Sequence, residues 1–166
     1  MKTDNIILIG MPGAGKSTVG VVLAKKCGCR FLDSDLVIQE QQGALLHELI
    51  ERFGTDGFLE IENQVNASLQ IHKTILATGG SAVYGNEAMA HLKSIGRVVY
   101  LQLSYEQIEQ RLGDLNERGV ALKDGQSLHD LYEERIPLYE RYADLTIPCD
   151  GRSIREIVTE IVTRVR

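Results

Sequence analysis

An α/β chain with a parallel sheet between layers of helices is the fold class this sequence predicts, and three observations predict it. Short apolar runs of strand length alternate with helix-periodic segments from one end to the other. The first run, "NIILIG" (Asn5–Gly10), is apolar without alternation, as a strand buried on both faces is. It stops at a glycine and leads through a glycine-rich loop into a helical pattern. Strands that alternate with helices imply parallel pairing with both faces covered.

Each element follows from its residues. Lys16 to Cys27 has helical spacing, with Val19, Val22 and Leu23 apolar and Lys25 and Lys26 at the C-terminal end, where the helix dipole favours cations. "RFLD" (30–33) reads as a second strand. Segments 35–42, 45–53 and 58–70 read as helices, with breaks expected at Gly43 and at "GTDG" (54–57). "TILATGG" is a third strand running into glycines; 86–94 is a helix; "RVVYLQL" (97–103) is the clearest strand of all. Ser104 with Gln107 has capping-box spacing and starts the next helix. Segment 113–127 lacks periodicity and reads as a mobile loop. A long helix to Asp144, a strand "LTIP" (145–148) and a closing helix from Ser153 complete the chain.

The bulk composition bounds the answer. A chain of 166 residues with 43% hydrophobic content is expected to form one domain, burying roughly 70% of its unfolded surface. No apolar run approaches the ~18 residues of a membrane span, and the N-terminus reads as a first strand rather than a leader. Three cysteines (Cys27, Cys29, Cys149) with no completing His or Cys pair read as reduced thiols, consistent with a cytoplasmic protein. A net charge of −5 argues against a general nucleic-acid binder. His47, His72, His91 and His129 fall in no catalytic or metal-binding spacing.

The chemistry is concentrated near the N-terminus. "GMPGAGKS" (Gly10–Ser17) matches G-x-x-x-x-G-K-[ST] in full, between an expected strand and helix. Such a loop turns its amides inward onto phosphates, its lysine reaches the terminal phosphates and its serine is a magnesium ligand. Gly13, Ala14, Gly15, Lys16, Ser17 and Thr18 are therefore the expected nucleotide-binding residues. At the end of the second strand Asp33 and Asp35 alternate, so both carboxylates are expected to face the same cleft, one toward magnesium and one toward an attacking hydroxyl. Ser34 or Asp35 acting only as a helix cap would explain one acid and leave the other unexplained.

With those residues in hand, the sequence resembles the shikimate kinases, small P-loop enzymes related to nucleoside monophosphate kinases. The resemblance rests on "GMPGAGKST", "FLDSD", "GFLEIE", "LATGGSAV", "VVYL", the arginines of "EQRLGDLNERG", and "ERIPLYERYAD", in family order over essentially the whole chain. It implies a five-stranded parallel sheet of order 2-3-1-4-5, a lid at about 113–127, and a helical substrate-binding region at about 35–59. It also implies ATP and magnesium, a small hydroxylated acceptor, and a monomer with no nucleic-acid or membrane partner. By position, the resemblance makes Asp33 the acid that organises magnesium with Ser17. Asp35 becomes the acid on the acceptor hydroxyls, and Gly79 and Gly80 the substrate-pocket glycines. Arg111 becomes the arginine beside the adenine, Arg118 the lid arginine, and Arg135 the arginine on the substrate carboxylate.

Three positions depart from the family pattern. Leu59 stands where a second carboxylate-binding arginine is usual, Ser81 replaces the third pocket glycine, and the lid reads "RGVAL" without its proline. Lys16, Ser17, Asp33 and Asp35 are intact, so phosphoryl transfer is expected and shikimate is the leading acceptor. Loss of one charge-assisted bond at Leu59, typically worth ~2 kcal/mol, predicts weak handling of shikimate. Another hydroxylated metabolite is the alternative, and one bearing an ammonium group would suit the pocket beside Glu62. From a different class, the chain could be a nucleotide-binding domain without turnover.

Overall fold

In the computed structural model, which describes residues 4–112 and 123–165, five strands form one parallel sheet of order β2-β3-β1-β4-β5. The strands are β1 (Asn5–Ile9), β2 (Arg30–Asp33), β3 (Thr74–Ala77), β4 (Gly96–Gln102) and β5 (Leu145–Pro148). Every residue of β1 and β3 is buried, which an extended chain allows only when both sheet faces are covered. Helix α1 (Lys16–Cys27) packs on β3 and on the closing helix α7 (Ile154–Val165). Helix α4 (Asn86–Ile95) packs on β4 and on α3 (Leu46–Ala67). Helices α2 (Ser34–Gln42), α5 (Tyr105–Arg111) and α6 (Leu128–Tyr142) complete the set. The predicted fold class and strand order are both observed.

One buried side chain aligns the N-terminal edge of the sheet. Asn5 donates to the Ile71 and Ile95 carbonyls at 3.0 Å each and accepts from the Thr74 amide at 2.9 Å. It therefore ties the entries of β3 and β4 to β1. The pairing Ile6↔Ile75 and Ile6↔Arg97 then brings the opposite ends of β1 and β3 together. In open parallel sheets that C-terminal edge is where ligands bind.

Two local expectations are corrected. The break expected at "GTDG" is a kink at one residue: α3 runs from Leu46 to Ala67, and only Gly54 leaves helical geometry (φ 73, ψ 174). Glycine adopts that positive φ without a Cβ clash. Gly57 then stays helical, where a Cβ would sit 2.7 Å from Phe53 Cβ. The third strand also ends earlier than "TILATGG" implies, at Ala77, and the glycines form a loop beyond it.

Of the expected caps, Ser104 accepts from the Gln107 amide. A full reciprocal box appears instead at Ser127 and Asp130, opening α6. The expected substrate-binding span 35–59 comprises α2 and the first part of α3, which enclose a small second core of Ile38, Leu49, Phe58 and Val65. The expected lid lies largely outside the described residues, which resume at Lys123. Among the described residues no helix is long and apolar enough to cross a membrane.

Candidate active site

The loop between β1 and α1 is a cradle of amides. Gly15, at the N-cap of α1, has φ 91, and Gly10 and Gly13 also have positive φ. The result directs the first amides of α1 and the positive end of its dipole at the space above the loop. Lys16 is 7% exposed, and its Nζ donates to the carbonyls of Gly10 at 2.5 Å and Met11 at 2.9 Å. Burial lowers its pKa to about 8, against the opposing pull of Asp35. Ala14 is buried, while Gly13, Gly15, Ser17 and Thr18 line the cleft beside the loop. Arg111, at the end of α5, donates to the Gly13 carbonyl at 3.3 Å, so it flanks the outer side of the loop.

Asp33 and Asp35 come together, but strand alternation does not place them. β2 ends at Asp33, whose Oδ1 caps α2 by accepting from the Asp35 amide at 3.0 Å. Asp35 lies in the first turn of that helix. The cap is thus Asp33 itself, and its second oxygen, Oδ2, accepts a 2.9 Å hydrogen bond from Ser17 Oγ. A serine hydroxyl and a carboxylate side by side at a phosphate loop are hard oxygen donors of the kind magnesium takes when phosphates and water fill its other positions. Among the described residues no cluster of three or more His, Cys, Asp or Glu could hold a metal without such help.

Beyond β3 the chain turns through Thr78, Gly79, Gly80 and Ser81, which close the cleft opposite the loop. A Cβ on Gly79 would lie 2.7 Å from Asp35 Oδ1 and 2.9 Å from Glu62 Oε2; one on Gly80 would lie 2.6 Å from Pro12 Cδ and 2.9 Å from Arg135 Nη1. A side chain at Gly79 would displace the two carboxylates, and one at Gly80 would press on the Pro12 ring and the Arg135 guanidinium. Asp35 Oδ1 is buried without a hydrogen-bond partner. Burial first and Asp33 second push its pKa up to about 6. Glu62, from α3, is pushed up to about 7 by burial, which outweighs the 2.6 Å hydrogen bond it accepts from Ser81 Oγ.

Arg135 on α6 is 1% exposed and its guanidinium lies 5.4 Å from the Tyr84 ring centroid. Tyr139, one turn further along α6, donates to the Gly80 carbonyl at 2.6 Å and stacks on Tyr100 with ring centroids 5.1 Å apart. Reading the residues alone missed Tyr84 and Tyr139. The i,i+4 spacing of Arg135 and Tyr139 was the available clue to the second; nothing marked the first. Leu59 lines a neighbouring crevice with Thr55, Asp56 and Tyr84, outside the main cleft. Arg118 lies outside the described residues.

The cleft has a volume of about 320 Å³. One wall offers amides and an ammonium for phosphates, the other offers two carboxylates, and a guanidinium stands behind Gly80. Such a layout can hold a polyphosphate and orient a hydroxylated molecule against its terminal phosphorus.

Comparison with known proteins points to one family. The family model described as shikimate kinase matches residues 12–166. A curated shikimate kinase of Francisella tularensis subsp. novicida is 38% identical, covering 98% of this chain and 95% of the relative. One of Haemophilus influenzae is 39% identical, covering 95% and 90%. Among solved structures, the shikimate kinase from Acinetobacter baumannii in complex with shikimate superposes with a TM-score of 0.83 at 33% identity, covering 98% of this chain and 93% of that one. A deoxyadenosine kinase from M. mycoides, at 14% identity and TM-score 0.58, shares the fold alone.

Proposed function

The chain belongs to the shikimate kinase family, and from that premise we propose that it transfers the γ-phosphoryl group of ATP to a hydroxyl of shikimate. The observation that carries the reading is the complete phosphate loop facing Asp35 Oδ1, a buried carboxylate oxygen with no partner of its own. A hydroxyl is the group such an oxygen accepts from.

The residues divide the work as follows. The loop amides from Gly13 to Thr18 hold the phosphates, and Lys16 leaves the Gly10 and Met11 carbonyls to neutralise charge on the migrating group. Ser17 and Asp33 would hold magnesium, which would supply positive charge to the phosphates. Asp35 orients the acceptor hydroxyl and takes its proton as the oxygen bonds to the γ-phosphorus and the bond to the bridging oxygen breaks, releasing ADP. Arg135, behind Gly80, attracts the acceptor's carboxylate. Arg111 flanks the nucleotide at Gly13. Arg118 is assigned the lid role, closing over the transferring group and excluding water.

A coupled ADP-release assay with shikimate and a panel of other hydroxylated acids and amines tests the reading, with the phosphorylated product identified by mass. Magnesium-dependent ADP release that requires shikimate, with one phosphoryl gained per ADP formed, is the expected result. Preference for another member of the panel would move the acceptor; release by no member would leave a nucleotide-binding domain without turnover.

A further inference from the structure

The phosphate loop and the loop after β3 form opposite walls of the cleft, and the strand pairing that joins them stops short of both. The β1–β3 ladder ends at Leu8↔Ala77, and one further bond runs from the Thr78 amide to the Leu8 carbonyl at 3.2 Å. Beyond it the two loops meet through side chains. Gly80 lies so near the phosphate loop that a Cβ on it would sit 2.6 Å from Pro12 Cδ.

One hydroxyl sits at that seam. Tyr139, on α6, is fully buried, and its hydroxyl donates to the Gly80 carbonyl at 2.6 Å. The same oxygen rests 3.7 Å from the sulfur of Met11, whose carbonyl accepts from Lys16 Nζ. A phenol has one proton to give, and the carbonyl is a better acceptor than a thioether. Arg135, one turn back along α6, hydrogen-bonds this hydroxyl too. The ring is anchored as well. It stacks on Tyr100, which pairs in the sheet with Ile9, the last strand residue before the phosphate loop. Tyr139 therefore ties the loop that carries Gly80 to the strands that carry the phosphate loop, and it reaches both from a third element. Packing alone does not call for the hydroxyl, since phenylalanine would fill the same place on Tyr100.

Phosphoryl transfer depends on the gap between the attacking oxygen and the terminal phosphorus, and a misplacement of about 1 Å can cost about 10²-fold. We infer that Tyr139 is a positioning residue for the transfer: by holding the Gly80 carbonyl against the phosphate loop, its hydroxyl sets the separation between the two walls of the cleft and so between the two reacting molecules. The hydroxyl acts through Gly80 rather than on a substrate. The inference rests on the kinase reading and adds to it what fixes the reaction distance.

Tyr139→Phe keeps the stacking and removes the hydroxyl. Two rates are compared in that variant and the wild type. One is kcat for transfer to whichever member of the panel above gives the highest kcat/KM. The other is the slow hydrolysis of ATP without an acceptor, which calls on the phosphate loop and magnesium but not on the opposite wall. Transfer should fall about tenfold or more while hydrolysis stays within about twofold. A purely structural role for the hydroxyl lowers both rates by the same factor, and that outcome overturns the inference. An undiminished kcat also overturns it, as does a loss confined to the acceptor's KM, which would place the effect at Arg135. If Tyr139→Phe does not fold, Gly80→Ala presses a methyl on the Pro12 ring at the same seam and should lower the ratio of transfer to hydrolysis by about tenfold or more; an unchanged ratio again overturns the inference. The kinase reading fails separately, by the absence of ADP release above the acceptor-free rate with every acceptor, and the inference then falls with it.

Discussion

Ser17 Oγ donates a 2.9 Å hydrogen bond to Asp33 Oδ2, joining the first turn of α1 to the end of β2. Asp33 spends its other oxygen on the Asp35 amide. One carboxylate thus sets the relative positions of the phosphate loop and of the acid beside the acceptor. Asp33→Ala should therefore damage both halves of the reaction: a higher magnesium requirement and a fall in kcat. Loss of the N-cap itself costs about 1 kcal/mol of stability. A magnesium titration of the rate, with the melting midpoint measured alongside, checks both. An unchanged magnesium requirement would remove Asp33 from the metal.

Lys16→Ala should reduce phosphoryl transfer by about 10²-fold or more, since the migrating group loses its nearest fixed cation. The ADP-release assay at saturating nucleotide reads the effect. A wild-type rate with any acceptor would sink the assignment of the loop.

Asp35→Asn keeps the shape of the side chain but cannot take the hydroxyl proton. Turnover should fall roughly 10²–10⁴-fold, while nucleotide affinity stays within about threefold by the tolerance ordinary for a non-contacting site. If nucleotide affinity collapses and turnover per bound nucleotide holds, the roles of Asp33 and Asp35 are reversed.

The same groups set a pH profile for kcat/KM. Asp35 must be ionised to accept a proton, and burial raises its pKa to about 6, so the rate rises with pH through that region. Lys16 must be charged, and burial lowers its pKa to about 8, so the rate falls above it. A bell with limbs near these values in the free enzyme is expected. A profile flat from pH 5 to 7 would exclude Asp35 as the proton acceptor.

Glu62 makes an opposite demand on stability. Its folded pKa is raised from 4.5 to about 7, so between those values the folded state binds a proton that the unfolded chain has released. Stability from this group is present below pH 4.5 and is lost as pH rises through 7, on the order of 3 kcal/mol in all. Urea unfolding of wild type and Glu62→Gln from pH 5 to 8 checks the sign. The variant should gain on the wild type as pH rises and level off above 7; parallel curves would show that Glu62 is not held in this buried state.

What the sequence made legible was what lies close together along the chain. The loop from Gly10 to Ser17 is contiguous, and its setting between β1 and α1 follows from the apolar run before it and the helical spacing after it. Asp33 and Asp35 were legible as a pair, but strand alternation was the wrong reason, because β2 ends at Asp33 and a cap does the positioning. The convergence of Glu62 with Ser81 spans 19 residues, and that of Tyr139 with Gly80 spans 59. Such contacts depend on how α3 and α6 dock on the sheet, which no local pattern encodes. The kink at Gly54 was misjudged for a related reason: packing of Phe58 and Leu49 into one small core keeps the helix going where local propensity favours a break.

The last prediction concerns Leu59, which stands where the family resemblance implies a second carboxylate-binding arginine. Leu59 and Tyr84 line the same crevice, and the Arg135 guanidinium lies 5.4 Å from the centroid of the Tyr84 ring on its way to Gly80. A long cationic side chain at 59 has Tyr84 to run along toward the Arg135 guanidinium. Leucine offers no donor there, so on the proposed role of Arg135 one arginine of α6 is left for the acceptor's carboxylate, and the wild-type protein should show a high Michaelis constant for shikimate. Leu59→Arg should lower that constant roughly tenfold, a gain of ~1.4 kcal/mol, with the melting midpoint recorded because Leu59 also packs on the small core of Phe58 and Leu49. The comparison must use shikimate and an analogue without its carboxylate, since a true clamp improves the first and leaves the second where it was. Efficient wild-type turnover of shikimate, unimproved by the arginine, would falsify the idea that a clamp is missing and would leave Arg135 sufficient by itself.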